Sequence, residues 1–131
     1  MRSILDSHML VDGARIAYTD SGGEGVPVVL IHGPPAHSYI WRHVRPGLVD
    51  AGHRVVVFDL LGYGLSERPV EADTSVAAQA RILGRLLDKL GVGRVHVVGH
   101  DIGGAIAMIF AIGEPERVVR LALIDTVSYD S

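Results

Sequence analysis

The sequence contains no cysteine, which excludes disulfide bonds, thiolate catalysis and cysteine-ligated zinc. It also has little positive charge: 12 lysines and arginines face 15 acidic residues, for a net charge of -3, and the basic residues are not clustered. That balance excludes the electrostatic footprint expected for nucleic acid or for an anionic membrane. The seven histidines lack metal-motif spacing such as His-Glu-x-x-His, so we expect no metal and no cofactor.

Long apolar runs are missing as well. The longest, residues 105–112, is too short to cross a bilayer, and the N-terminus lacks the basic and apolar stretches of a signal peptide. We therefore predict a cytoplasmic protein. The composition is 48% hydrophobic and 21% charged, typical of one modest globular domain. We expect residues 1–8 to be a disordered lead-in or a cloning remnant and residues 9–131 to form the domain.

The apolar residues fall into strand-like segments. Asp12 and Gly13 separate two short apolar segments, a pattern that predicts an antiparallel hairpin at the start of the chain. Unbroken apolar runs bounded by turn residues predict strands buried on both faces. Residues 26–31 form such a run, and residues 55–60, 95–98 and 118–124 are predominantly apolar segments of the same buried type.

Helical segments alternate with these strands. Apolar positions spaced by four, three, four and three predict an amphipathic helix over residues 75–90, capped by Asp73 or Ser75 and ended by Gly91. A shorter helix is predicted near residues 41–49, and an interior helix over residues 103–112. Alternating strands and helices predict an α/β fold: a mostly parallel sheet with helices on both faces.

The most informative segment is the turn from Gly99 to Gly103, which places Asp101 between a strand and a helix. The flanking glycines allow the helix backbone to pass close to the strand, so that the central side chain projects from the carboxyl end of the sheet beside the first helical N–H groups. Those groups favour negative charge. An ionised Asp101 is therefore placed to attack an electrophilic carbon and form an ester intermediate.

With its glycine-bracketed aspartate, the sequence resembles the α/β-hydrolase superfamily, and within it the aspartate-nucleophile branch of haloalkane dehalogenases, fluoroacetate dehalogenases and epoxide hydrolases. Three segments carry the resemblance in the family's order: residues 32–35 (His-Gly-Pro-Pro), residues 59–66 (Asp-Leu-Leu-Gly-Tyr-Gly-Leu-Ser) and residues 99–104. It extends from about residue 11 to 125. It implies the N-terminal half of an α/β-hydrolase fold, with the nucleophile elbow at Asp101 and an antiparallel N-terminal hairpin.

The resemblance also implies roles for other residues. His32 and Asp59 are interpreted as structural loop residues. Trp41 and Tyr39 are pocket candidates, although a core position for Trp41 and a surface position for Tyr39 are the alternatives. An oxyanion or substrate pocket is implied around Gly33, Pro34, Tyr39, Trp41 and Ile102.

Two parts of the family pattern are missing from this sequence: the segment with the histidine that activates water, and the cap domain with the later strands. Asp125 follows the last predicted strand where some dehalogenases place their acid, so it is a candidate acid or else a plain strand-end residue. Ile102 lacks the side-chain N–H that dehalogenases use for halide, and Pro34 replaces their asparagine. Residues 34–35 are closer to the epoxide hydrolase pattern.

Two functions are compatible with these features. The first is hydrolysis of a small-molecule substrate at an electrophilic carbon, an epoxide or a carbon–halogen bond, by a domain completed through dimerisation or by a missing C-terminal half. The alternative is a catalytically silent fragment or scaffold. In both cases the apolar last strand, residues 121–124, is an unpaired edge, for which we predict a homodimer or a complementing chain.

Overall fold

The computed structural model describes residues 2–126, which form one six-stranded sheet with three α-helices. The strands are β1 (Ser7–Val11), β2 (Ala14–Asp20), β3 (Val28–Ile31), β4 (Val55–Phe58), β5 (Val95–His100) and β6 (Val118–Ile124). The helices are α1 (Val44–Asp50), α2 (Val76–Lys89) and α3 (Ile102–Gly113). Short 3₁₀ helices span Ser38–Trp41 and Pro115–Arg117.

The sheet has the strand order β1-β2-β4-β3-β5-β6. The β1–β2 and β2–β4 pairs are antiparallel, and β4, β3, β5 and β6 are parallel to one another. In the hairpin, Val11 pairs with Ala14, and both loop residues have positive φ, 52° at Asp12 and 81° at Gly13. The predicted fold class and the antiparallel start are therefore confirmed.

Helix α2 follows its sequence pattern closely. The Ser75 side chain caps it by accepting from the Ala78 N–H, and Gly91, with φ of 73°, follows its C-terminal end. Asp73 has a different part in the cap, because its carboxylate accepts from the Ser75 N–H. The apolar stripe of α2 lies against one face of the sheet.

The core has two parts, one on each face of the sheet. The larger part contains the buried side chains of α2 and α3, together with Val29, Ile31 and Phe58. The smaller part contains Trp41, which packs on the opposite face with Leu30 and other strand residues. Alternate residues of β3, β4 and β5 thus serve opposite layers, as in an α/β domain.

Two apolar elements are less buried than their composition predicts. Helix α3 was expected to be interior, but Ile109 is 44% and Ile112 is 77% exposed. Leu121, Leu123 and Ile124 of β6 are exposed as well. For β6 the physical reason is that it is the last strand of the described sheet, so no described element lies beyond it.

The N-terminal strand starts before the predicted domain does. Ser7 and His8, assigned above to the lead-in, are the first two residues of β1. Ile4 and Leu5 pack against the smaller part of the core. Within residues 2–126, no helix is both long and apolar enough to cross a membrane.

Candidate active site

Asp101 occupies the sharp turn between β5 and α3, with φ of 57° and ψ of -124°. A non-glycine residue seldom adopts such angles, which cost free energy unless the surroundings enforce them. Here the backbone is held from both sides: the Asp101 N–H donates to the Ile124 carbonyl at 3.0 Å, and its carbonyl accepts from the Gly104 N–H at 2.9 Å. The strained turn is thus tied to the end of β6.

Glycines make this turn sterically possible. A Cβ at Gly99 would lie 2.6 Å from the Gly103 carbonyl carbon and 2.7 Å from the Gly104 Cα. A Cβ at Gly103 would collide with the carbonyl oxygens of Ile31 and His32. The start of α3 therefore touches the ends of β5 and β3 with backbone alone, as the bracketing glycines predict.

The loop after β3 lies directly against the elbow. A Cβ at Gly33 would be 2.9 Å from the Ile102 nitrogen and 3.0 Å from the Asp101 Cβ. Ile102 is the first residue of α3, so its N–H has no acceptor within the helix and adds to the positive end of the helix dipole. Gly33, Ile102 and Asp101 are thus brought together. Pro34 follows Gly33 in the loop and has no N–H to offer to an anion.

The two aromatic pocket candidates, Trp41 and Tyr39, lie further along the segment that follows β3. Trp41 is 3% exposed and belongs to the smaller part of the core, its ring meeting that of His100 edge-on at 6.3 Å between centroids. Tyr39 is partly exposed and stacks under the Arg42 guanidinium, 4.6 Å from the ring centroid. Trp41 is therefore a core residue, and Tyr39 lies at the surface of the loop.

Asp59 and His32 are both fully buried behind the elbow. The Asp59 carboxylate accepts from the Ser38 N–H and the Leu65 N–H, each at 2.8 Å, and thereby joins two loops. His32 Nε2 accepts from the Leu60 N–H at 3.0 Å. These are the contacts expected of side chains that hold neighbouring loops in place.

A residue that the sequence analysis did not select supports the same loop. Gln79 of α2 is buried, and its side-chain amide both accepts from the Leu61 N–H at 3.1 Å and donates to the Leu61 carbonyl at 2.9 Å. The available signal was a polar residue between two alanines on a helix that is otherwise apolar on that side. It fixes the chain after β4 to α2.

Burial lowers the pKa of His32 to about 4, because a charged imidazolium is poorly solvated inside the core. The bond from the Leu60 N–H requires a neutral Nε2, which agrees with this direction. An unfolded histidine titrates near pH 6.5, so between about pH 6.5 and 4 the unfolded state binds more protons. His32 therefore makes its full contribution to the free energy of unfolding above about pH 6.5. This contribution is lost as the pH falls from about 6.5 to 4.

We expect this loss to reach roughly 3 kcal/mol at pH 4, as measured by urea unfolding at a series of pH values. His32→Gln keeps an acceptor for the Leu60 N–H and removes the titration, so its unfolding free energy should fall less than that of the parent over the same range. His8→Gln, at an exposed position of β1, is the control and should follow the parent. Parallel curves for the parent and His32→Gln would contradict the prediction.

Asp125 leaves the sheet beside the elbow. His100 pairs with Ile124 in the β5–β6 register, so Asp101 and Asp125 each follow a residue of that pair. Asp125 is exposed and has φ of 47°. Within residues 2–126 the Asp101 side chain makes no cap hydrogen bond to α3, which leaves its carboxylate available for other contacts.

Comparison with known proteins agrees with this geometry. Residues 26–131 match the family model described as alpha/beta hydrolase fold. One relative, 38% identical over 119 residues, is the dihydrolipoyllysine-residue acetyltransferase component of the acetoin cleaving system of Cupriavidus necator; the match covers 91% of this chain and 31% of that protein. Another, haloalkane dehalogenase 2 of Mycobacterium bovis, is 39% identical, with 86% of this chain and 38% of that protein covered.

Among solved structures, an epoxide hydrolase without ligand superposes with a TM-score of 0.86 at 36% identity, covering 92% of this chain and 42% of that one. The chain thus spans about a third to two fifths of the length of the curated relatives named above. By their names, these proteins are an acetyltransferase component, a haloalkane dehalogenase and an epoxide hydrolase, which are different chemistries.

Proposed function

The chain belongs to the alpha/beta hydrolase family, and from this premise we propose that it carries the nucleophile of a hydrolase that acts at an electrophilic carbon, an epoxide or a carbon–halogen bond. The nucleophile is Asp101. The proposal depends on one observation above all: a carboxylate occupies the strained turn after β5, beside the Gly33 loop and the first N–H of α3.

The first step follows from that position. A carboxylate oxygen of Asp101 attacks the substrate carbon and forms a C–O ester bond, while the bond to the epoxide oxygen or to the halogen breaks and its electron pair leaves with that atom. A halide departs as the anion, and an epoxide oxygen takes a proton from solvent water. Asp101 needs no base for this attack because a carboxylate oxygen is itself the nucleophile and has no proton to lose.

The second step is hydrolysis of the ester. Water adds to the carbonyl carbon of the Asp101 ester, and the negative charge on the carbonyl oxygen is stabilised by backbone N–H groups near Gly33 and Ile102. The intermediate then collapses: the acyl C–O bond breaks, the product leaves as an alcohol that takes a proton, and the Asp101 carboxylate is regenerated. The water must lose a proton to a base, and a histidine serves in the proposed mechanism. We propose that the histidine belongs to the part that completes the domain, either a second copy of this chain or a C-terminal half outside residues 1–131, and that Asp125 orients it.

The exposed strand β6 is the proposed junction with the part that completes the domain. It is the last strand of the sheet, and its apolar side chains are exposed. An unpaired apolar edge favours pairing with another strand. At micromolar concentration we expect sedimentation velocity to show a dimer or larger species, and Leu123→Lys to shift it toward monomer. A parent protein that sediments as a monodisperse monomer would remove the assembly proposal.

The nucleophile is tested by covalent labelling. We expect incubation with an aryl epoxide to add the full mass of the epoxide to the peptide containing Asp101. A primary alkyl bromide should add the mass of the bromide minus that of HBr. Because the proposed base lies outside residues 1–131, this ester should accumulate in residues 1–131 alone rather than turn over. Peptide mass spectrometry locates the adduct.

Matched variants make the labelling specific. Asp101→Asn is nearly the same size but lacks the anionic oxygen, and should lose the adduct completely, whereas Asp125→Asn should keep it. Adducts of equal yield in the parent and in Asp101→Asn would contradict the assignment.

The second candidate function is a catalytically silent scaffold that assembles through β6. It is favoured by the same exposed strand, which needs no chemistry at Asp101 to pair. Self-association without any adduct over a wide panel of epoxides and alkyl halides would favour this function over the first.

A further inference from the structure

The segment that follows the Gly33 loop carries an arginine in a fixed position. The Arg42 guanidinium lies over the Tyr39 ring, 4.6 Å from its centroid, and Arg42 Nη1 donates to the Tyr39 carbonyl at 3.0 Å. The Tyr39 ring in turn stacks with the His37 ring, at 6.2 Å between centroids. Stacking and the hydrogen bond together hold the guanidinium in a defined orientation.

The remaining donors of Arg42 have no acceptor among the described residues. Within residues 2–126 its exposed side chain makes no other hydrogen bond and no ion pair. With Nη1 occupied, the free edge of the guanidinium consists of Nε and Nη2, whose two N–H groups match two oxygens of an oxyanion. A side chain that is already held in place also loses less conformational entropy when a ligand binds. Arg42 is therefore suited to bind an anion.

A second arginine lies beside the first. Arg42 and His43 both have helical backbone angles and α1 begins at Val44, so Arg45 follows Arg42 by three residues along a continuous helical path. Side chains at this spacing lie on the same side of a helix, with Cβ atoms about 5–6 Å apart. Among the described residues Arg45 also forms no ion pair, and its buried Nε has no hydrogen-bond partner.

This arginine pair is not neutralised along its own segment, because residues 36–49 contain no aspartate or glutamate. Two positive charges so close together repel each other. An anion between the two guanidinium groups would remove the repulsion and accept from both. A phosphate monoester carries a charge of about -1.5 to -2 near neutral pH and offers three oxygens, whereas a carboxylate carries a single charge on two oxygens. The pair therefore favours a phosphate.

We propose that Arg42 and Arg45 form a binding site for the phosphate group of a small molecule. Two phosphate oxygens accept from Nε and Nη2 of Arg42, and a third oxygen faces Arg45. The site uses neither Asp101 nor Asp125, so it is a second site, separate from the proposed hydrolase reaction. Bound phosphate neutralises both guanidinium groups, and because the unfolded chain lacks this arrangement, binding stabilises the folded state.

The test follows the arginine Nε–H signals in proton–nitrogen NMR spectra of the chain, at low salt and about pH 7.5, where a phosphate monoester is mostly a dianion. Inorganic phosphate should shift the Nε–H signals of Arg42 and Arg45 until they saturate, and acetate should bind more weakly by about 10-fold or more. Phenyl phosphate is the second phosphate probe. Tighter binding of phenyl phosphate identifies an organic phosphate ester as the ligand, and equal binding identifies free phosphate.

Variants separate this site from general charge attraction. Arg42→Gln should weaken phosphate binding by about 10-fold or more, and Arg42→Lys, which keeps the charge but loses the two-donor edge, should weaken it as well. Arg68→Gln is the matched control and should change the affinity by less than about 2-fold. Arg68 is also exposed, forms no ion pair within the described chain and donates to a carbonyl, that of Gly64. Circular dichroism confirms that each variant is folded.

Three results would overturn the inference: no saturable shift of the Arg42 signal with either phosphate probe, acetate binding as tightly as phosphate, or equal losses of affinity for Arg42→Gln and Arg68→Gln. The readout is independent of chemistry at Asp101. Phosphate binding without an Asp101 adduct would refute the proposed reaction alone, and an adduct without phosphate binding would refute the phosphate site alone.

Discussion

Replacing Gly99 with valine is expected to prevent folding. A side chain at this position meets the backbone of Gly103 and Gly104 rather than a movable side chain, so β5 and α3 would have to separate. Overpacking in a core usually costs about 1–3 kcal/mol, and a clash with backbone on the far side should exceed this. We expect a loss of more than about 4 kcal/mol, which is most of the stability of a small domain.

Urea unfolding followed by circular dichroism measures the effect, and Gly99→Val should show no cooperative transition. Gly93→Val is the matched control: it lies just before the same strand, and a Cβ there would meet nothing within 4 Å. Gly99→Ala should also be destabilised, with a transition that remains measurable. A midpoint for Gly99→Val equal to that of Gly93→Val would show that the close approach of β5 to α3 is not required.

The second large effect is expected for Asp59→Ala. The carboxylate is fully buried and accepts from the N–H groups of Ser38 and Leu65, so its removal leaves one buried and one partly buried donor without an acceptor. Hydrogen bonds to a charged group each contribute about 1.5–3 kcal/mol. We expect a loss of about 4 kcal/mol in the free energy of unfolding, measured by urea denaturation.

Asp50→Ala is the control, because Asp50 is exposed at the end of α1. Asp59→Asn separates charge from shape: its amide oxygen still accepts from one N–H, but its NH₂ group faces the other, so its stability should fall between those of the parent and Asp59→Ala. A loss of less than 1 kcal/mol for Asp59→Ala would mean that water replaces the carboxylate.

Both effects concern the support of the elbow rather than its chemistry. Gly99 allows α3 to start beside the strand, and Asp59 connects the loop containing Ser38 with the loop containing Leu65. The free energy that holds Asp101 in its strained conformation comes from such surroundings. Weakening them should therefore also reduce labelling of Asp101 under mildly denaturing conditions.

The sequence was most informative where structure depends on neighbours along the chain. The Asp12-Gly13 turn, the Ser75 cap and the helix of residues 75–90 were predicted from local patterns because turn geometry, capping and helical periodicity each involve only a few consecutive residues. The position of Asp101 between β5 and α3 followed for the same reason. The glycines that flank Asp101 indicated that the start of α3 packs closely against the end of β5.

Contacts between distant segments were decided by the tertiary structure. Asp59 finds Ser38 at a separation of 21 residues, and His32 finds Leu60 at 28. No local pattern encodes which buried N–H a given acceptor will meet, because that depends on the order and spacing of the strands. The core position of Trp41 and the hydrogen bonds of Gln79 to Leu61 emerged in the same way.

By itself, then, the sequence determined the order of the elements, the family resemblance and a carboxylate at the elbow, since these are written in periodicity and in short glycine-rich motifs. Only the tertiary structure decided which apolar surfaces of the described residues stay uncovered, among them Ile112 and the exposed side chains of β6. The physical reason is that burial belongs to the assembled layers. An apolar residue specifies that it should be covered, whereas the neighbouring strands and helices decide whether it is.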